Sequence, residues 1–318
     1  MSNQNSKDAA LKWAETQGFH LEMKVARIFE NAGFETSLLT HYSDPDTNET
    51  REIDVVAMIQ KKVEGLTIHI QFFIECKYNK DPWVIFTNRR IKPKPFEYFS
   101  HILNGNYHFY NWESQNTFQG RLIACILSKY DCDSIPKTFK VCKHLGFTLK
   151  EAHKGNKDAA TTAIWQVQKS IFDFEKKNEY HLNQMIVEHE NEYEKEYDSA
   201  PSKKLNLLIE IPFPLIICQG PGQLFKAYLD SNDNLDIDEI DQCTIYQAKK
   251  PGDLAIGKPV ILPIKVLKED ESSYEKIERF AILAGEDINA LLSQEKAIMD
   301  MWKYENSKVF PKKDESQF

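Results

Sequence analysis

The sequence predicts an α/β protein with a mixed central sheet, and three observations carry that expectation. An amphipathic helix at 19–32 precedes two long alternating arms at 51–77. A second apolar stripe of helical spacing, from Ala160 to Phe174, is followed by apolar runs punctuated by Gly and Pro at 205–229. Periods of 3.6 and 2 residues therefore interchange along the chain, as in a sheet covered by helices.

Composition bounds the rest. With 318 residues, 42% of them apolar and 12% aromatic, the chain supports one large core or two modest ones. The six cysteines are scattered without a C-x-x-C pair, and the opening M-S-N-Q-N-S-K-D has no apolar core. The longest apolar run, Leu205 to Cys218, is broken by Glu210, Pro212 and Pro214, and is too short to span a bilayer. Reduced thiols and a cytoplasmic protein that does not enter membranes are expected. The net charge of −8 excludes a bulk polycation, so any nucleic acid must meet a local basic patch.

A short lead-in helix is expected at 8–17. Leu21, Val25, Ile28, Phe29 and Ala32 then recur at helical spacing, and Gly33 is the stop. Glu22 borders this stripe, either looking towards the strands or solvated in the first turn. A strand at 34–42 leads to Ser43–Asn48, where Asp44 and Asp46 read as a solvated turn, since no Gly and Glu follow at calcium-loop positions.

Arg51 to Lys77 is the informative stretch. Glu52, Asp54, Val56 and Met58 share one face of the first arm; Gln71, Phe73, Glu75 and Lys77 share one face of the second. Folding the arms about Glu64-Gly65 sets Asp54 opposite Glu75 and Glu52 opposite Lys77. Opposed Cβ atoms lie roughly 4.5–5.5 Å apart, where like charges destabilise a sheet. Two facing carboxylates beside an ammonium point to a bound divalent cation. Glu52 is expected to hold Lys77 as a supporting residue.

Downstream, a short strand at 83–87 precedes N-R-R-I-K-P-K-P. From Cys76 to Phe96, Lys77, Lys80, Arg89, Arg90, Lys92 and Lys94 stand against Asp81 alone, a net charge of +5. Arg89, Arg90, Lys92 and Lys94 are the candidate nucleic-acid contacts. A helix is expected at 95–112 and a buried strand at 121–128. Gly220-Pro221-Gly222 is a turn and not a phosphate loop, because the P-loop spacing is absent and Pro221 lacks an N–H. A closing helix carries Ile277, Phe280, Ala284, Ile288, Leu291 and Ile298.

The residues G-F-H-L-E-M-K-V-A-R-I-F-E-N-A-G-F (18–34), R-E-I-D (51–54) and E-C-K (75–77), with K-D-A-A-T-T-A-I-W-Q-V (157–167), resemble the PD-(D/E)xK nuclease superfamily, in its Mrr-like restriction endonuclease branch. Ile53-Asp54 stands where the superfamily name has Pro-Asp. The resemblance implies a restriction-endonuclease-like αβββαβ core within 1–155, followed by an α+β C-terminal region, 156–318. It implies an Mg²⁺-dependent endonuclease acting on DNA, with Asp54, Glu75 and Lys77 as the catalytic trio and Glu22 in support. Metal ligands are then Asp54, Glu75, the backbone carbonyl of Cys76 and, through water, Glu22, with Mn²⁺ as a substitute ion. A homodimer is expected for cutting both strands, and the C-terminal region is free to engage a protein partner. The residues leave open a non-cleaving scaffold on the same fold and an RNase or structure-specific nuclease.

Overall fold

A computed structural model describes residues 3–16, 18–63, 66–87, 104–105, 144–146, 148–152, 158–193, 207–245 and 259–269, with the single positions 282, 286 and 290. Helices α1 (Asn3–Thr16) and α2 (Phe19–Asn31) lead into strands β1 (Glu35–Ser43), β2 (Thr50–Val63) and β3 (Leu66–Tyr78). Strand β4 (Trp83–Phe86), the two-residue strands β5 (Asn104–Gly105) and β6 (Leu145–Gly146), and β7 (Thr148–Glu151) precede the long helix α3 (Ala159–Tyr193). Strands β8 (Leu207–Gln219), β9 (Leu224–Leu229), β10 (Leu235–Glu239), β11 (Cys243–Ile245) and β12 (Val260–Pro263) follow, and then a short helix, α4 (Ile264–Glu269). The larger sheet runs β1-β2-β3-β8-β12-β11-β6 with β5 against β8; the smaller runs β10-β9-β4-β7. The architecture is mixed α/β with parallel and antiparallel pairs in both sheets.

The hairpin takes the register that its charges suggested. Pairing runs from Val63↔Leu66 to Val55↔Ile74. β8 then lies parallel to β3 along its whole length, from Leu66↔Leu207 to Tyr78↔Gln219. The sheet is therefore continuous across the division expected at 155/156, and the strand beside β3 comes from the second half. The physical reason is burial: β3 is covered on both faces, so its open edge needs an equally apolar partner, and 207–219 is such a run. The helix expected at 95–112 and the strand at 121–128 lie outside the described residues, except that Asn104–Gly105 pairs with β8. The closing-helix stripe lies outside them too.

Adjacent phenylalanines show how the sheet is sandwiched. Phe72 stacks on Phe213 at 5.1 Å and meets Phe29 of α2 at 5.1 Å. Phe73 points the other way and meets Phe174 of α3 at 5.1 Å. Beneath α3, Ala160, Ala163, Ile164, Val167 and Ile171 form its buried stripe, as the spacing predicted. Asp158 caps that helix, its Oδ1 accepting the Thr161 N–H at 2.6 Å. Among the described residues no helix is long and apolar enough to cross a membrane.

The two central strands leave the large sheet side by side and enter the small one side by side, β3 into β4 and β8 into β9. Asn79 ties the crossing: its N–H donates to the Gln219 carbonyl at 2.9 Å and its Nδ2 to the Gly222 carbonyl at 2.7 Å. A Cβ at Gly220 would stand 2.1 Å from the Asn79 carbonyl oxygen, and one at Gly222 2.3 Å from that of Asp81. Close backbone approach is what G-P-G provides here.

The loop between β1 and β2 corrects another expectation. Asp44 is buried, and Lys169 of α3 donates to both its oxygens at 2.8 Å, with Asp46 Oδ2 also 2.8 Å away. Burial would raise the Asp44 carboxyl, but Lys169 and neighbouring backbone N–H groups hold it below the usual range. A solvated turn is the wrong picture because the lysine replaces water. Lys169→Met should leave that carboxylate without its ammonium and cost about 3 kcal/mol, read from urea unfolding. Recovery of part of the loss in Lys169→Met with Asp44→Asn checks the cause.

Candidate active site

The charged cluster forms where the hairpin comes apart. β2 and β3 continue to Thr50 and Tyr78, yet their pairing stops at Val55↔Ile74. On the other side of β2, Leu38↔Val55 and Thr40↔Ile53 pair, while Leu39 between them has a φ of 52° and no partner in the ladder. A leucine in the left-handed region is strained. Asp54 is thus the one β2 residue between Ile53 and Val63 that no ladder engages on either side. Its Oδ2 accepts the Cys76 N–H at 2.7 Å, so a side chain fills the gap left by the missing backbone partner. Within an extended strand a residue's N–H and C=O point to the same side. The Cys76 carbonyl therefore faces the same gap.

Glu75 is fully buried; its Oε1 accepts from Lys77 Nζ, and its Oε2 has no hydrogen-bond partner. Glu22, in the first turn of α2, is 7% exposed, and its Oε2 is likewise unpartnered. This decides the open question about Glu22: it is not a solvated first-turn residue. Burial, then the Asp54 charge, pushes Glu22 up to about 7 and Glu75 up to about 8. Asp54 is also raised by burial, against the pull of Lys77 and of the Cys76 N–H. For Lys77, burial acts downward, but Glu75 and Asp54 prevail and hold it above its ordinary value. Three carboxylates thus share one ammonium in a poorly solvated place.

An open cleft of about 570 Å³ exposes the cluster, lined by His41, Thr50, Arg51, Glu52, Asp54, Glu75, Lys77 and Gln166. Glu52 does not hold Lys77. It faces His41, with 3.2 Å between Oε1 and Nε2, because His41 is its β1 partner and the splayed hairpin no longer presents it to β3. The basic residues Arg89, Arg90, Lys92 and Lys94 lie outside the described residues. Besides Lys77, the basic residues on the cleft wall are Arg51 and His41, which were not among the expected site residues. Nor were Gln166 on α3 and Tyr42. The Tyr42 hydroxyl is raised by burial, then by Glu75 and Asp44, and so stays a neutral donor beside them.

Among the described residues no group of three His, Cys, Asp or Glu side chains is already arranged to hold a metal ion. The chemistry of the donor set still fits one. Two orphaned, buried carboxylate oxygens and a strand carbonyl facing the same gap are hard oxygen donors. A cation is also what would offset the repulsion that raises these groups. No protein-family model, curated protein or solved structure matches the chain.

Proposed function

We propose that this cleft hydrolyses phosphodiester bonds in DNA as an Mg²⁺-dependent endonuclease, with Mn²⁺ able to substitute. The observation that carries the reading is Asp54 inserted between the parted ends of β2 and β3, against Cys76 and beside the buried Glu75–Lys77 pair. Support also comes from chain order. With β4 to β7 inserted between β3 and α3, the elements α2-β1-β2-β3-α3-β8 follow one another as αβββαβ, the order that the resemblance to PD-(D/E)xK nucleases implies, and β8 lies parallel to β3. In this reading α3 and β8 complete the core, so the nuclease unit extends past residue 155.

Asp54, Glu75 and the Cys76 carbonyl would hold the ion, with Glu22 in support. When bound, a divalent cation withdraws charge from the phosphoryl oxygens and lowers the pKa of a water ligand. Lys77, held above its ordinary value by Glu75 and Asp54 in the metal-free protein, is placed to counter the charge that builds up on phosphorus-bound oxygen. Arg51 and Thr50 on the β2 wall meet the flanking backbone. The test is incubation of purified protein with duplex DNA, single-stranded DNA and RNA, in Mg²⁺, Mn²⁺ or EDTA. DNA cleavage that EDTA abolishes is expected. A preparation that cuts none of the three with either metal overturns the reading, and cleavage of RNA alone replaces DNA with RNA.

A further inference from the structure

Resting on that reading, we infer that Gln166 of α3 orients the attacking water in the cleft that it lines with the carboxylates. Gln166 lines the cleft together with Asp54, Glu75 and Lys77, and its Oε1 is screened from solvent without a hydrogen-bond partner. A buried acceptor left unsatisfied is costly, so a donor arriving in the cleft is favoured there. Gln168, two residues on, also has an unpartnered Oε1 but does not line the cleft.

The other buried acceptors without a partner here, Glu22 Oε2 and Glu75 Oε2, are carboxylate oxygens assigned to the ion. An ammonium has donors only, and Lys77 already donates to Glu75. Asp54 Oδ2 is taken by the Cys76 N–H. A water in line with a phosphorus atom needs an acceptor that fixes its lone pair and does not add negative charge. An amide oxygen is such an acceptor. Its reach is fixed as well: one turn along α3, Lys169 pins the helix to Asp44 and Asp46, so the Gln166 wall cannot drift from the β1–β2 wall. Gln166 makes and breaks no covalent bond; the water oxygen bonds to phosphorus as its proton passes to solvent in the open cleft, and the P–O3′ bond breaks with the departing oxygen protonated from solvent.

The decisive variant is Gln166→Met, which keeps volume and removes the acceptor. On DNA with Mn²⁺ we expect kcat to fall about 10²-fold, with KM, melting temperature and calorimetric Mn²⁺ affinity unchanged. Gln166→Glu keeps an acceptor at the same reach and recovers part of the rate, which a packing defect would not allow. If Gln166→Met fails to fold, Gln166→Asn withdraws the amide by one methylene and should show the same fall in kcat. Wild-type kcat in the folded variant, or a loss confined to KM or to Mn²⁺ affinity, overturns the inference while the nuclease reading stands. A wild-type protein that cleaves nothing overturns both.

Discussion

Exchanging Asp54 for asparagine should abolish metal-dependent cleavage, a loss of about 10³-fold, and at the same time make the metal-free protein melt higher. The two effects have one cause. Asp54 is held above the usual carboxylate range by burial even though Lys77 and the Cys76 N–H favour its charge, so the fold prefers a neutral group there. Asparagine supplies one, and its amide oxygen still accepts from Cys76, keeping the gap between the strands filled. A rise of about 2 °C or more is expected in metal-free buffer, together with calorimetric loss of Mn²⁺ binding. A lower melting temperature with Mn²⁺ binding intact would make Asp54 a structural anchor and remove it from the catalytic trio.

Metal-free protein should also lose stability as pH rises, and divalent cation should restore it only at the alkaline end. Unfolded, Glu22 and Glu75 titrate near 4.5; folded, burial and then Asp54 push them to about 7 and about 8. Between those values the native state binds more protons than the unfolded state, so stability is full below 4.5 and falls until about 8. Asp44 and Asp158 are held low and act in the opposite sense, but only as pH falls below their ordinary 3.8. Melting curves at acid and alkaline pH, with and without Mn²⁺, give the measurement. Mn²⁺ should raise the midpoint strongly at pH 8 and hardly at pH 5, because bound metal takes the place of bound protons. Glu22→Gln with Glu75→Gln should flatten the profile. An unchanged slope in that double variant would assign the pH response to other groups.

Much of this was legible in the sequence where side chains alternate strictly. The hairpin register followed from the facing carboxylates and the Glu64-Gly65 turn, and Val55↔Ile74 bears it out. The helices 19–32 and 160–174 followed from their stripes. What alternation does not encode is where a ladder stops. The parting of β2 from β3 begins at Asp54, where Leu39 also drops out of the β1 ladder, and Glu52 meets His41 and not Lys77. Sheet neighbours far apart in sequence were equally hidden. The apolar run at 205–229 does not tell that β8, with Pro212 and Pro214 in it, is a central strand. The prolines fall between the β5 pairing at Ile209–Glu210 and the β12 pairing that begins at Leu215, where no described strand claims the missing N–H groups. Asp44 looked like solvent-exposed loop chemistry because its partner, Lys169, is 125 residues away.

The paired crossing from one sheet to the other sets a schedule for synthesis. Asn79 and Gly222, which lock it, are 143 residues apart, so a ribosome releases β2 and β3 long before β8 exists. Until then β3 has an unpaired edge of Ile, Phe and Cys, the kind of edge that sticks to other chains. Contacts of such separation also slow folding. A chain stopped at residue 155 therefore keeps every carboxylate of the cleft and Lys77, yet is expected to aggregate. β8 covers the open edge of β3 only after residue 155 is passed, so a half-made polypeptide carries the side chains of the cleft without the sheet that supports them.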